Sequence, residues 1–146
     1  MTFREFSLER VSALVDRLAA EIERTAESRN DPKAVHDLRV SIRRLAQALR
    51  ALGVTFSKKD RKVVRERLRE MMDLAAEARS RDVALELFEA AEVAPGALPC
   101  ARLRRERGKY RRKLVELARK WRRDAIAGSF REALGLPEAK TEREAS

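Results

Sequence analysis

The chain has 146 residues and a formal net charge of +10, and charged side chains make up 40% of it. This length is sufficient for one domain with a hydrophobic core, and the low content of aromatic residues, glycine and proline favours long helices over sheet. No apolar run approaches the roughly 20 residues of a membrane span, and the charged start lacks the apolar stretch of a signal peptide, so we expect a soluble cytoplasmic protein.

The first predicted helix covers residues 3–29 and has a single apolar face. Its apolar residues recur at helical spacing and are Val11, Leu14, Val15, Leu18 and Ile22. The charged residues Asp16, Arg17, Glu21, Glu23 and Arg24 lie elsewhere on the helix. We interpret this segment as a packing helix.

The second predicted helix, residues 31–52, carries two patterns. One is an apolar seam that must face other helices, formed by Val35, Leu38, Ile42, Leu45, Leu49 and Leu52. The other is a polar row beside the seam, within a sector of roughly 80°, formed by His36, Arg39, Arg43, Gln47 and Arg50. Asp31 as N-cap and Pro32 as the first helical residue mark the start, and Gly53 is expected to close the helix.

The third predicted helix follows Ser57 as its cap and runs through residue 78, continuing or restarting to about residue 91. Its seam is formed by Val64, Leu68, Met71, Ala75 and Ala78. A second basic row lies beside the seam and consists of Lys58, Lys62, Arg65 and Arg69. Beyond it we expect Val83, Leu87 and Phe88 on the apolar side and Asp82, Glu86 and Glu89 outside. Arg79 fits either a local ion pair or an anion contact.

A break at Pro95, Gly96 and Pro99 precedes a long helix predicted for residues 100–127. Its seam consists of Leu103, Tyr110, Leu114, Leu117, Trp121 and Ala125. Beside it lie Arg102, Arg105, Lys109, Arg112 and Lys113. Arg107 interrupts the seam and Gly108 lies within the helix; local conflicts of this kind tend to occur at functional or contact sites.

The end of the chain is predicted to hold one further short helix. We expect Gly128 to end the long helix, Ser129 to cap a final helix with Phe130 and Leu134, and Gly135 to stop it. The domain would then span residues 1–136, and residues 137–146 are predicted to form a disordered tail. The single cysteine, Cys100, is typical of a reducing compartment and is interpreted as a small residue near a helix start.

The basic charge is concentrated in two segments. Residues 33–69 carry 12 basic and 3 acidic side chains, and residues 100–124 again carry 12 and 3. Brought side by side in a bundle, these segments would create a strong positive potential, so the expected partner is a polyanion.

The run DPKAVHDLRVSIRRLAQALRAL, residues 31–52, resembles the signature helix of the CHAD domain family, the conserved-histidine α-helical domains. The family pattern is roughly H-x-x-R-V-x-x-R-R-L-R-x-x-L-R, and its matches here are His36, Arg39, Val40, Arg43, Arg44, Leu45, Leu49 and Arg50. Ala46 stands where many members carry a basic residue. Residues 74–83 are similar to the family's L-x-x-x-x-R-D-x-D-V segment through Arg79, Asp82 and Val83, with Ser80 in place of the first Asp.

The resemblance implies an all-α fold and binding of inorganic polyphosphate, in some bacteria at polyphosphate granules. Full-length members have two similar helical halves. The chain is therefore expected to form an antiparallel four-helix-type bundle of long amphipathic helices, corresponding to one half of a full-length CHAD domain. We expect two copies to pair about a two-fold axis near Tyr110 or Trp121 and rebuild the longer groove as a homodimer.

Rows of arginine suit phosphate because the planar guanidinium offers paired donors and stays charged. We therefore predict non-catalytic polyphosphate binding by His36, Arg39, Arg43, Arg44, Arg50, Lys58, Lys62, Arg65, Arg69, Arg79, Arg105, Lys109, Arg112 and Lys113. We expect no enzymatic activity, cofactor or metal, since the basic rows hold almost no carboxylate and no glycine-rich phosphate loop or paired-cysteine motif is present.

Three other interpretations stay open. The charge pattern equally permits a protein that binds nucleic-acid backbones without sequence preference, although the aromatic residues leave few platforms for bases. The chain could instead be a scaffold or regulator of a phosphate-metabolising enzyme, since some family members are fused to triphosphate-tunnel domains. Each basic row, and His36, also fits a purely structural role on a solvated face.

Overall fold

The computed structural model describes residues 1–28 and 31–137. The predicted tail beyond Pro137 lies outside the described residues. The described helices are α1 (Phe3–Glu27), α2 (Pro32–Ala51), α3 (Lys58–Ala90), α4 (Leu98–Arg123) and α5 (Ile126–Leu134), with a 3₁₀ turn at Gly53–Thr55. No strand occurs in these ranges, which confirms the all-α class.

The first three helices begin at capping side chains. Thr2 and Glu5 form a reciprocal capping box at the start of α1. The Asp31 carboxylate accepts the backbone N–H of Lys33 at 2.9 Å, and the Ser57 hydroxyl accepts that of Asp60 at 3.1 Å. These contacts satisfy helical N–H groups that have no partner within the helix, and they confirm the predicted starts of α2 and α3.

The hydrophobic core lies between α1, α2, α3 and α4, with α5 packed against α1 and α3. The predicted seams of α1 and α3 are buried, and in α2 all seam residues but Leu52 are. α2 contacts α1 on one side and α3 on the other, and α4 in turn contacts α1 and α3. Arg119 of α4 donates to the Ala26 carbonyl of α1 and Arg122 to Glu23, so these two helices run antiparallel. A strictly antiparallel four-helix arrangement of the whole bundle stays a prediction.

Two predicted helix ends are wrong. α4 ends at Arg123, and Gly128 and Ser129 lie inside α5. The chain reverses at Ala125, whose φ of 49° is left-handed, because Trp121 and Phe130 are both buried against each other with ring centroids 6.2 Å apart. The burial of Trp121 also removes it from the surface expected to join two copies. Gly135, with φ of 64°, stops α5 as predicted.

Gly53 directly follows Leu52, the C-cap of α2, which is the position predicted for the residue that closes this helix, although Gly135 is the one described glycine with a positive φ. Gly53 also begins the 3₁₀ turn, and a Cβ at this position would lie 2.6 Å from a guanidinium nitrogen of Arg61. The glycine is therefore needed for a close approach between the α2–α3 connection and α3.

The second half of α3 differs from the prediction. The helix continues without a break to Ala90, but between Ala75 and Leu114 the buried apolar residues among those described are only Ala78 and Cys100, and neither belongs to the main core cluster. Val83 and Leu87, expected on the apolar side, are exposed, whereas Asp82, expected outside, is only 6% exposed. The periodicity correctly predicted that this segment is helical, but it wrongly predicted which of its residues are buried. None of the described helices combines the length and apolarity that crossing a lipid bilayer requires.

Candidate anion-binding site

The basic row of α2 lies on the flank that faces α3. On the opposite flank, Arg24 of α1 donates a hydrogen bond to Asp37 at 2.6 Å, which lowers the pKa of the Asp37 carboxyl and raises that of Arg24. Arg39 is two residues after Asp37 and so projects roughly 160° away from it around the helix. Because α2 packs between α1 and α3, the Arg39 flank is directed toward α3.

The basic row of α3 is directed back toward α2 by the same geometry. Arg81 donates to Glu106 of α4 at 3.0 Å, and this contact identifies the flank of α3 that faces α4. Arg79, two residues earlier, lies on the opposite flank. Stepping back from Arg79 by 3 and 4 residues passes Ala76 and Met72 and reaches the predicted row, Arg69, Arg65, Lys62 and Lys58.

The two rows meet at Arg39, Arg43 and Arg79. Burial and the neighbouring positive charges of Arg43 and Arg79 lower the pKa of the half-buried Arg39 guanidinium. The Nε of Arg39 is buried and has no hydrogen-bond partner among the described residues. A buried donor without an acceptor, held beside two repelling cations, costs free energy that an anion bound there would recover. We call the surface formed by the α2 and α3 rows the anion face.

Most of the predicted cations on α2 and α3 are not neutralised within the described chain. Ion pairs reach only Arg79, from Glu86 at 3.8 Å, and Lys62, from Glu66 at 3.9 Å. Those without a described ion pair are His36, Arg39, Arg43, Arg44, Arg50, Lys58, Arg65 and Arg69. Arg44, about 100° around the helix from Arg43, points away from α3 and lies off the anion face.

Arg61 is a cation that sequence reasoning missed. It packs over Gly53 at the opposite end of the anion face from Arg79, and its buried Nε has no hydrogen-bond partner among the described residues. The unusual requirement for a glycine at position 53 was the available signal, but it was interpreted as a helix stop.

The predicted cations of α4 lie elsewhere. Lys109 and Lys113 flank the ring of Tyr110, at 5.6 and 5.9 Å from its centroid, and the Arg81 guanidinium lies at 4.7 Å. Arg105 and Arg112 are exposed. α4 contacts α3 and α1 and has no extensive described contact with α2, so the structure does not bring these four residues together with the anion face.

Asp82 is a clamp between α3 and α4. Its buried carboxylate accepts a hydrogen bond from Arg111 at 2.8 Å, and Arg107 lies at 3.7 Å. This pairing explains why an arginine occupies a seam position at residue 107. The Asp82 carboxylate can be buried in its charged form because arginine side chains are paired with it.

The described residues hold no group of three or more His, Cys, Asp or Glu side chains that could bind a metal ion. Cys100 is buried near the start of α4. The guanidinium groups of the anion face donate hydrogen bonds and carry positive charge.

The chain matches the family model described as the CHAD domain over residues 9–146, which includes all of α2, α3, α4 and α5. No curated protein and no solved structure matches the chain.

Proposed function

The chain belongs to the CHAD domain family, which is linked to polyphosphate binding in general, and we propose that it binds inorganic polyphosphate on the anion face. The observation that carries this proposal is at Arg39, whose buried Nε has no hydrogen-bond partner among the described residues and whose positively charged neighbours, Arg43 and Arg79, come from two helices.

Polyphosphate fits this surface because it repeats negative charge along a chain that carries no base or sugar. The cations of α2 and α3 recur every 3 or 4 residues, which gives a spacing of about 5–6 Å between neighbours on one helix face. Successive phosphates can therefore contact successive side chains. Each neutralised phosphate releases condensed counterions, so affinity should grow with chain length and fall steeply with salt.

We further propose that this binding is non-catalytic and takes place in the cytoplasm, with recruitment to polyphosphate granules as one outcome. A module that holds the polymer needs donors and positive charge, and these are what the anion face supplies. The chain would act as a homodimer, with two anion faces forming a longer track.

The test is direct competition between long-chain polyphosphate and tRNA for the purified protein at about 150 mM salt, near physiological ionic strength. We expect polyphosphate to displace tRNA, because the anion face offers cations but no aromatic platform on which bases could stack. Displacement in the other direction would favour the alternative, a binder of nucleic-acid backbones. Arg39→Gln should weaken polyphosphate binding. Arg104→Gln should not, because Arg104 belongs to α4 and donates to the Pro95 carbonyl, away from the anion face.

A scaffold role for a phosphate-metabolising enzyme is the remaining alternative. It predicts that Arg39→Gln leaves polyphosphate affinity unchanged and alters only the activity of a co-purified phosphate enzyme. Titration of the variant with polyphosphate alone separates this role from direct binding.

A further inference from the structure

Two arginine side chains of the anion face share an unusual feature. The Nε atoms of Arg39 and Arg61 are both buried, and neither has a hydrogen-bond partner within residues 1–28 and 31–137. The rest of each side chain is only half-buried, so a ligand can reach its guanidinium group. A buried donor without an acceptor costs free energy, which a phosphate oxygen accepting its hydrogen bond would recover.

Helical geometry places these two arginines at opposite ends of one surface. Arg61 precedes Arg79 by 18 residues, which is about five turns of an α-helix, so the two lie on the same side of α3 about 27 Å apart. Arg79 is the residue of α3 whose charge acts on Arg39, so Arg39 lies at one end of the surface. Arg61 packs over Gly53, which directly follows the C-cap of α2, so Arg61 lies at the other end.

Between these two ends, the floor of the anion face is apolar. Ala46 follows Arg39 by 7 residues, close to two turns, and so lies on the same side of α2. Met72 precedes Arg79 by 7 residues and so lies on the same side of α3. Both side chains are partly buried and pack against the hydrophobic core. The buried donors of this face therefore lie at its two ends, and exposed cations of the two rows line its rims.

We propose that the anion face holds one linear polyphosphate at two anchor points, Arg39 and Arg61, and therefore selects chains that are long enough to reach both. This inference rests on the proposed function and specifies which polyphosphate the site prefers. Each guanidinium offers paired donors to the oxygens of one phosphate group. Once one anchor is occupied, the second meets a phosphate of the same chain at a high effective concentration, whereas a chain too short to span the face gains nothing from the second anchor.

The experiment is calorimetric titration of the parent, Arg61→Gln and the control Arg67→Gln with two ligands. One ligand is tripolyphosphate, whose three phosphates reach only one anchor. The other is a polyphosphate long enough to span about 27 Å, the rise of 18 helical residues. Arg67 is a suitable control because it is an exposed arginine of the same helix, six residues after Arg61 and so about 120° around the helix from it.

Arg61→Gln is expected to bind the spanning chain about tenfold or more weakly than the parent, because the second anchor is lost. With tripolyphosphate it should keep the affinity of the Arg39 anchor and lose only the binding event at Arg61. Arg67→Gln should stay within about two- to threefold of the parent for both ligands, the effect of one exposed charge. Arg61→Lys keeps the positive charge but lacks the paired donors, so it should lose part of the affinity for the spanning chain.

Circular dichroism and the melting temperature check that Arg61→Gln is folded, which we expect because the substitution removes a buried donor that has no described acceptor. The inference is overturned if Arg61→Gln binds the spanning chain as tightly as Arg67→Gln does, or if it loses affinity for both ligands by the same factor. If Arg39→Gln weakens binding of the spanning chain and Arg61→Gln does not, the proposed function stands and only the second anchor is refuted. A parent that binds neither ligand refutes both.

Discussion

The two flanks of α3 both carry arginine but place it in opposite environments. On the α4 flank, Arg81 is paired with Glu106, and Asp82 of the same helix is paired with Arg111. On the α2 flank, the positive charges of Arg43 and Arg79 act on Arg39, for which no ion pair is described, and Glu86 lies 3.8 Å from Arg79. The same residue type therefore joins two helices on one side and leaves positive charge available to a ligand on the other.

The pKa shifts of the two regions have opposite directions. Hydrogen bonding to Glu106 raises the pKa of Arg81, whereas burial and like charges lower that of Arg39. The charge of Arg81 is stabilised by folding, and the charge of Arg39 is destabilised by it. Regions in which folding destabilises a charge are typical of binding sites, because a bound ligand can supply the opposite charge that the protein does not.

The largest expected effect comes from removing the Asp82 carboxylate, which pairs α3 with α4. Asp82→Ala leaves Arg107 and Arg111 without this carboxylate, and loss of one partner of a buried ion pair costs about 3 kcal/mol or more. The free energy of unfolding, measured by urea denaturation, should fall by that amount. Asp73→Ala, which removes an exposed carboxylate of the same helix, should change it little, and equal effects of the two substitutions would contradict the clamp.

Next in size is the opposite behaviour of Arg39 and Arg81. Arg39→Met should weaken polyphosphate binding by about 10- to 100-fold, the effect of one hydrogen-bonded charge at about 1.5–3 kcal/mol, and should raise the melting temperature. Arg81→Met, the matched control, should lower the melting temperature and leave affinity unchanged. Calorimetric titration and thermal unfolding measure both quantities. The comparison fails if both variants lose affinity to the same degree.

A smaller effect concerns acid stability. The pKa values of Asp37 and Glu106 are lowered, mainly by hydrogen bonds from Arg24 and Arg81 respectively. Their stabilising contribution is present above the ordinary carboxyl pKa of about 4 and is lost as the pH falls through the lowered folded values. Unfolding free energy measured from pH 5 to pH 2 should therefore fall, and more gently in Arg24→Met, which has already lost the Asp37 contribution. An equal slope in the two proteins would show that Asp37 is not involved.

The smallest effect is expected at His36, which is exposed at the start of the α2 row. A histidine ring nitrogen can donate a hydrogen bond to a phosphate oxygen, so His36→Ala should weaken polyphosphate affinity by no more than a few-fold in calorimetric titration at one fixed pH. If the affinity is unchanged, His36 does not belong to the anion face.

Most of the fold was predictable because its buried residues follow helical periodicity. The seams of α1, α2 and α3 depend on spacing alone, and the starts at Asp31 and Ser57 depend on local capping chemistry. The exposure of Leu87 was not predictable, since periodicity shows which residues share a face but not whether another helix covers that face. The burial of Asp82 likewise depends on Arg107 and Arg111, which are distant in sequence.

The candidate site was predictable in part for the same reason. Helical spacing placed the rows of α2 and α3 correctly on their own helices, but their meeting at Arg39 and Arg79 depends on how the two helices pack. The cations of α4 have similar spacing, yet they lie on another side of α3, where Lys109 and Lys113 are beside Tyr110. Arg61 precedes Arg65 by four residues and so shares its face of α3, but its packing over Gly53 is a tertiary contact that depends on how the α2–α3 connection lies against α3.

The uninterrupted course of α3 has a mechanical consequence. Its 33 residues form a rod of about 50 Å at 1.5 Å per residue, and this single rod carries Lys58 at one end and Leu87 near the other. A helix without a hinge keeps the distance and the angle between its two ends constant. In any assembly that forms contacts at the Leu87 end of α3, phosphate contacts would therefore repeat at a distance set by the length of this helix.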